Sequence, residues 1–249
     1  MCGRYYRRSD KQRIAEAYRL GEIPFDLVLP DWNFNVAPTS FQPVIRLRCE
    51  ADGRLAREAH AQETRDAGGR ELVLMRWGLV PGYTKQLSDV KGISTINARA
   101  ETLAKSPVWR GPLRKRRCLV PADGFYEWKR LDGKNSPGEK AKQPYAFHMA
   151  DDAPFAFAGL WDAWKAPDGS WLESFSIVTT EANALMAPVH NRMPVILAPG
   201  DYDRWLDAER DPAPLDLLRP YAADAMACAP CNPKVGNTRN NGPEMLDAA

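Results

Sequence analysis

The feature that most constrains this chain is the length of its apolar runs, which are cut by proline, glycine or charged turns before a long helix can form. FQPVIRLR (41–48), ELVLMRWG (71–78), FAFAGLWDAW (155–164) and ESFSIVTT (173–180) read as strands. CLVP (118–121) reads as a further strand, and FYEWKR (125–130) and PYAFHM (144–149) form a pair joined by a long loop. One clear helix stands out, DKQRIAEAYRL (10–20), with Asp10 as N-cap, Ile14, Ala17 and Tyr18 on one face, and Gly21 beyond its end. PGDYDRWLDA (199–208) and PAPLDLLRPY (212–221) read as short surface helices. The pattern is α+β: a strongly bent, barrel-like, mostly antiparallel β core with short peripheral helices.

Two excursions interrupt that pattern. EADGRLAREAHAQETRDAGGR, within 49–70, has no apolar periodicity and reads as a solvated hairpin extension. The segment 131–143 is rich in Gly, Pro and Lys and reads as a long loop. With 249 residues, 44% of them hydrophobic, the chain is long enough to bury a sizeable core, and a single domain over 1–249 is expected.

Charge excludes a strong global field. The 34 basic and 32 acidic side chains leave a net charge of +2, so affinity for a polyanion has to come from a local patch. The N-terminus has no apolar run of signal-peptide length and no stretch elsewhere approaches the roughly 18 residues of a membrane span, and a cytoplasmic protein is expected, nucleoid-associated if bacterial, with no membrane contact. The five cysteines (Cys2, Cys49, Cys118, Cys228, Cys231) are scattered and odd in number, which fits a reducing compartment. CAPC at 228–231 has ligand-like spacing, but no second pair or nearby histidine completes a tetrahedral set, so it reads as packing and no metal or cofactor is expected.

Three segments place polar residues where apolar ones belong. In STINARAETL (94–103), Asn97 and Arg99 sit two apart and share a face of an extended chain; a solvated edge strand fits equally. In CLVPADGFYEWKR (118–130), Glu127 stands between Tyr126 and Trp128, where desolvation would raise its pKa and suit it to general acid work. The alternative is a structural ion pair with an arginine of LRKRR (113–117). In APVHNRMPVIL (187–197), Pro188 and Pro194 argue against helix and leave His190 and Arg192 extended on one face. His190 is one of three histidines, with His60 and His148, and a purely structural role also fits it.

The start, MCGRY, poses a separate question. A small residue after Met1 generally permits its removal, which would leave Cys2 with an α-amine of pKa about 7.7–8.0 beside a thiol of about 8.5. Cys2 is then either a two-headed nucleophile or an ordinary small apolar residue.

MCGRY, FNVAPT (34–39), RWGLVPGY (76–83), INARAET (96–102), CLVPADGFYEWK (118–129), SIVTT (176–180), HNRMPVIL (190–197) and VGNTRNNG (235–242) together resemble the SRAP family, named for SOS response-associated peptidase. The motifs run in family order over nearly the whole chain. The resemblance implies one compact α+β domain with a channel for single-stranded DNA, acting as a covalent sensor and shield of abasic sites. Cys2 would form a thiazolidine crosslink through lyase-like Schiff-base chemistry, because an adjacent amine and thiol can trap an aldehyde that a lysine could not. Glu127 would be the acid-base residue, Asn97 would orient amine and sugar, and His190 would serve the sugar hydroxyl. Arg4, Arg99 and Arg192 would clamp phosphates, Trp77 and Pro38 would wedge against flanking bases, and Thr179 would line the pocket. The basic run Arg114, Lys115, Arg116 and Arg117 reads as a solvated face that steers DNA.

The implied partner is single-stranded DNA containing abasic sites, bound by a monomer. Removal of Met1 by an aminopeptidase would suffice to expose Cys2, making the self-cleavage in the family's name superfluous. Two other classes fit the same residues: a cysteine peptidase using Cys2, Glu127 and His190, and a non-covalent single-strand-binding module in which Cys2 is incidental.

Overall fold

The computed structural model describes residues 2–21, 23, 27–29, 32–48, 69–90, 94–131 and 142–248. In chain order the elements are β1 (Tyr5–Arg7), α1 (Lys11–Ala17), β2 (Asn33–Val36), β3 (Phe41–Leu47), β4 (Arg70–Trp77), β5 (Asn97–Arg99) and α2 (Pro107–Lys115). There follow β6 (Arg117–Ala122), β7 (Gly124–Arg130), β8 (Lys142–Met149), β9 (Phe155–Lys165), β10 (Trp171–Glu181), β11 (Arg192–Pro194), β12 (Ile196–Leu197), α3 (Tyr202–Leu206) and β13 (Met226–Pro230).

Strands β10, β4, β3, β6 and β9 follow one another, and β9 pairs back onto β10, so the sheet closes into a five-stranded barrel. Closure leaves these strands apolar on both faces, which is why they read as continuous apolar runs and not as alternation. One alternate set, including Val44, Met75, Trp77, Val120, Phe157, Phe175 and Ile177, joins an apolar cluster with Cys2, Tyr5, Phe125 and Phe147. The other set, including Ile45, Leu72, Leu119, Leu160 and Val178, packs with Ile14 and Tyr18 of the α1 segment, Leu113 of α2 and Trp205 of α3. The β9–β10 hairpin turns at Pro167, Asp168 and Gly169, where a φ of 88° calls for glycine.

A second, five-stranded sheet runs β13-β8-β7-β1-β2. Its pairing matters for the N-terminus: Tyr5 lies opposite Phe125 and Tyr6 opposite Gly124, and the Tyr126 amide donates to the Arg4 carbonyl at 3.0 Å. The antiparallel register carried outward sets the chain before Arg4 level with Glu127. Both sequence excursions leave and return at paired strand ends, Leu47 opposite Arg70 and Arg130 opposite Lys142. The hairpin reading of 49–68 and the loop reading of 132–141 lie outside the described residues.

Several sequence readings change. The N-terminal helix starts as expected, with Asp10 Oδ1 accepting from the Arg13 amide at 2.8 Å, but ends at Ala17. The proline-bounded 212–221 segment forms only a 3₁₀ turn at Leu215–Leu217. The basic run is a solvated face only at Arg114 and Lys115, which are exposed. Arg117 is buried and donates to carbonyls of Leu113, Arg114, Trp205 and Asp207, satisfying the ends of two helices. Arg116 pairs with Asp162, Lys115 with Glu209 and Arg114 with Asp211. Cys231 is buried beside Tyr6 and Tyr126, and burial pushes its thiol up to about 12, so the CAPC pair serves packing. No helix among the described residues is long and apolar enough to cross a membrane.

Candidate active site

Cys2 is fully buried in the cluster at the junction of barrel and second sheet. Its carbonyl accepts from Asn97 Nδ2 at 2.8 Å, which ties the N-terminus to β5, and β5 in turn pairs in parallel with β10 from Ile177 to Thr179. Asn97 is 6% exposed, and its Oδ1 is buried with no hydrogen-bond partner among the described residues. Burial, and after it the Glu127 carboxylate, push the Cys2 thiol far above its usual range. Glu127 therefore acts electrostatically on the sulfur, and Cys2, Asn97 and Glu127 form one corner.

The burial of Glu127, 4% exposed, has a different origin from the one its sequence neighbours suggest. It lies inside β7, where side chains alternate, so Tyr126 and Trp128 face the opposite side and pack with Tyr6 and Val235. Phe125 shares the face of Glu127, and Phe125 belongs to the cluster that holds Cys2. The desolvation comes from the core face.

A charged rim runs along the C-terminal end of β10. Arg99 is exposed at the end of β5, two residues beyond buried Asn97, so one strand face leads from interior to solvent. On the other side β11 brings Arg192, whose Nη1 and Nη2 reach the two carboxylate oxygens of Glu101 at 2.5 and 3.0 Å. Arg192 Nη2 also donates to the carbonyl and hydroxyl of Thr179 at 2.8 and 3.3 Å. His190 precedes β11, and its Nδ1 accepts from the Arg192 amide at 3.0 Å, which sets the proton of the neutral ring on Nε2. The Arg192 carbonyl lies 3.3 Å from the same nitrogen, so a protonated ring also finds a partner.

Two expected interface residues are buried. Trp77 is fully buried and presents no face to a base: on β4 it falls in the inward set with Met75, its Nε1 donates to the Ile96 carbonyl at 2.9 Å, and its ring stacks on Phe175. Thr179 is likewise fully buried, and its carbonyl accepts from Arg192 of the rim. Pro38 is half-buried in the turn before β3, where the Thr39 amide donates to the Trp77 carbonyl. The aromatic that RWGLVPGY does leave open is Tyr83, 69% exposed.

Two further residues escaped the sequence reading. Asn35 accepts from Arg4 Nε at 3.1 Å while its Nδ2 reaches the carbonyls of Val235, Asn237 and Asn240. It thereby fastens FNVAPT, the N-terminus and VGNTRNNG together, and the only sequence signal for this is an asparagine inside an apolar strand. Glu101 reads in sequence as an ordinary exposed acid, and nothing local marks it as the partner of a residue 91 positions away.

The fold and this corner define a barrel-cored α+β protein whose second residue sits at the centre of its own candidate site. The family model described as SOS response associated peptidase (SRAP) matches residues 1–238, and the chain belongs to that family. The abasic site processing protein YoaM of Bacillus subtilis is 42% identical over 251 residues, covering 100% of this chain and 98% of its own. YoqW of the same organism, also called an abasic site processing protein, is 36% identical over 254 residues with both chains covered in full. The mouse abasic site processing protein HMCES is 30% identical over 284 residues, covering 100% of this chain and 76% of its own. Among solved structures, a Bacteroides thetaiotaomicron protein superposes with a TM-score of 0.78 at 27% identity over 100% of both chains. A Bordetella bronchiseptica protein gives 0.71 at 28% identity over 93% of this chain and 100% of its own.

Proposed function

We propose that this protein captures abasic sites in single-stranded DNA, forming a thiazolidine crosslink through Cys2 once Met1 is removed. The observation that carries the proposal is the convergence on residue 2: an amide on its carbonyl, a carboxylate acting on its sulfur, and a buried amide oxygen with no partner among the described residues. The names of the relatives supply the substrate class.

The chemistry follows from the corner. The Cys2 amine adds to the aldehyde of the ring-opened sugar, and the resulting carbinolamine loses water to give an imine. Glu127 takes up the proton that the adding amine releases and returns it to the departing hydroxyl. The thiol then adds across the imine: its sulfur bonds to the former aldehyde carbon, and its proton ends on nitrogen. One water is released in all. Asn97 Oδ1 would accept from the incoming amine, and His190, with a backbone partner for Nδ1 in either protonation state, would pass a proton at the sugar hydroxyl as the ring opens and closes. Arg4, Arg99 and Arg192 would hold phosphates, and half-buried Pro38 would pack on a flanking base.

The thiol's environment favours this order over peptidase chemistry. A cysteine peptidase needs a ready thiolate, whereas burial and Glu127 both hold the Cys2 thiol protonated. A neutral thiol suits a second step in which an imine is already waiting. The test is a denaturing gel with intact-mass analysis on single-stranded DNA carrying one abasic site. The expected product has the summed mass less one water, and it is absent from Cys2→Ala and from protein with residues retained ahead of Cys2. A complex that dissolves in denaturant points instead to non-covalent binding, and an equal adduct from Cys2→Ala overturns the proposal.

A further inference from the structure

Arg192 is expected to grip a phosphate, yet its gripping edge is already occupied. A guanidinium offers a fork between its two terminal nitrogens that matches two oxygens of a carboxylate or a phosphate. Here both prongs point at Glu101, at 2.5 and 3.0 Å. The second edge is closed as well, since Nη2 donates to Thr179 and Nε is buried with no acceptor among the described residues. The two partners differ in freedom: the Arg192 side chain is 16% exposed and the Glu101 side chain 52%. Glu101 sits in a 3₁₀ turn, Ala100–Thr102, directly after β5, so it can swing out while Arg192 stays in place.

We infer that Glu101 is a specificity-determining residue whose carboxylate holds the phosphate position on Arg192 until a DNA strand displaces it. This rests on the DNA-binding reading above and deepens it. A phosphodiester entering the fork exchanges one bidentate anion for another, so the contact adds little net affinity. The displaced carboxylate is then left beside an anionic strand. A strand held by phosphates alone bears this cost at every encounter, whereas a strand captured at Cys2 is retained by a covalent bond. Glu101 thus weakens the grip on undamaged DNA more than the grip on a lesion.

The experiment measures equilibrium binding of undamaged single-stranded DNA across a salt series for the full chain, Glu101→Gln, Glu101→Asp, Arg192→Ala and Glu101→Gln with Arg192→Ala. Glu101→Gln should tighten binding about two- to tenfold and steepen the slope of log affinity against log salt by about 0.7, the value of one phosphate contact on a single strand. Glu101→Asp, too short to fill the fork, should shift in the same direction. On the Arg192→Ala background, Glu101→Gln should change neither quantity beyond the loss of one distant charge. Weaker binding by Glu101→Gln at an unchanged slope would overturn the inference and make Glu101 a simple support for Arg192. Equal binding would overturn it too. No binding by any of the proteins would overturn the DNA-binding reading itself, and this inference with it.

Discussion

The corner around Cys2 and the rim around Arg192 are joined by β5, which carries Asn97 into one and Arg99 into the other, yet they spend their polar groups in different ways. In the corner, Cys2, Asn97 and Glu127 are all buried, and Asn97 Oδ1 has no partner among the described residues. In the rim, Arg192, Glu101 and Thr179 hold one another in advance of any ligand, although Arg192 Nε is buried with no acceptor among the described residues. A buried polar atom without a partner costs about 1–3 kcal/mol, while exposed ion pairs contribute about 0–1 kcal/mol. The corner therefore holds a standing incentive to bind at Asn97, while the exposed Glu101 side of the rim is inexpensive to exchange. Chemistry belongs in the first and reversible contact in the second.

Glu127→Gln should break the corner most severely. Removing the carboxylate that shuttles the proton should slow adduct formation by about 10²–10⁴-fold. The same change removes a negative charge beside the sulfur, and since that charge raises the Cys2 pKa, the pKa should fall. Thiol-disulfide exchange of Cys2 with a small reagent at fixed pH should accordingly speed up while adduct formation slows. Parallel slowing of both would mean that Glu127 only maintains the corner's shape.

Next in size is Trp77→Ala, which probes the floor under the corner. Removing a fully buried indole that stacks on Phe175 and meets Tyr5 edge-on should cost about 3–5 kcal/mol in denaturant unfolding. Native stability combined with lost DNA affinity would restore the wedge role that the buried position removes. Asn97→Asp is a smaller and more local change: it keeps an acceptor but sets a carboxylate oxygen against the Cys2 carbonyl in place of the Nδ2 donor. The expected loss is about 1–3 kcal/mol, larger at neutral pH than in acid, where protonation of the introduced carboxyl restores a donor. A stability loss independent of pH would show that the amide donor is dispensable.

What the sequence made legible divides along the same line. The barrel strands were readable because their double burial writes continuous apolar runs, and Asn97, Glu127 and His190 stood out as polar residues within such runs. Trp77 was misplaced because a tryptophan beside an arginine and a glycine looks the same whether it faces in or out. Only the β4 register, with Met75 and Trp77 on one inward face, decides it. The aromatic neighbours of Glu127 misled because adjacency along a strand means opposite faces. Arg114 and Lys115 are exposed as expected, but Arg117 looked solvated with them because charge alone does not reveal that two helix ends leave carbonyls for it to satisfy. Asn35 and Glu101 were invisible because their partners lie 31 to 205 and 91 positions away.

The smallest expected effect separates two arginines of the rim. Arg99 is exposed at the end of β5 and feels Glu101 through its field, whereas Arg192 holds Glu101 in its fork. A phosphate that meets Arg99 gains a new contact and releases its counterion in full. A phosphate that meets Arg192 replaces an anion already there, and the freed Glu101 carboxylate draws a cation back. Arg99→Ala should therefore flatten the salt dependence of single-strand binding by about 0.7, and Arg192→Ala by distinctly less. Both losses should be nearly independent of base sequence, since phosphate contacts carry none. Equal flattening by the two variants would mean that Glu101 leaves Arg192 before the strand arrives. A change in base preference from either would move that arginine off the phosphates altogether.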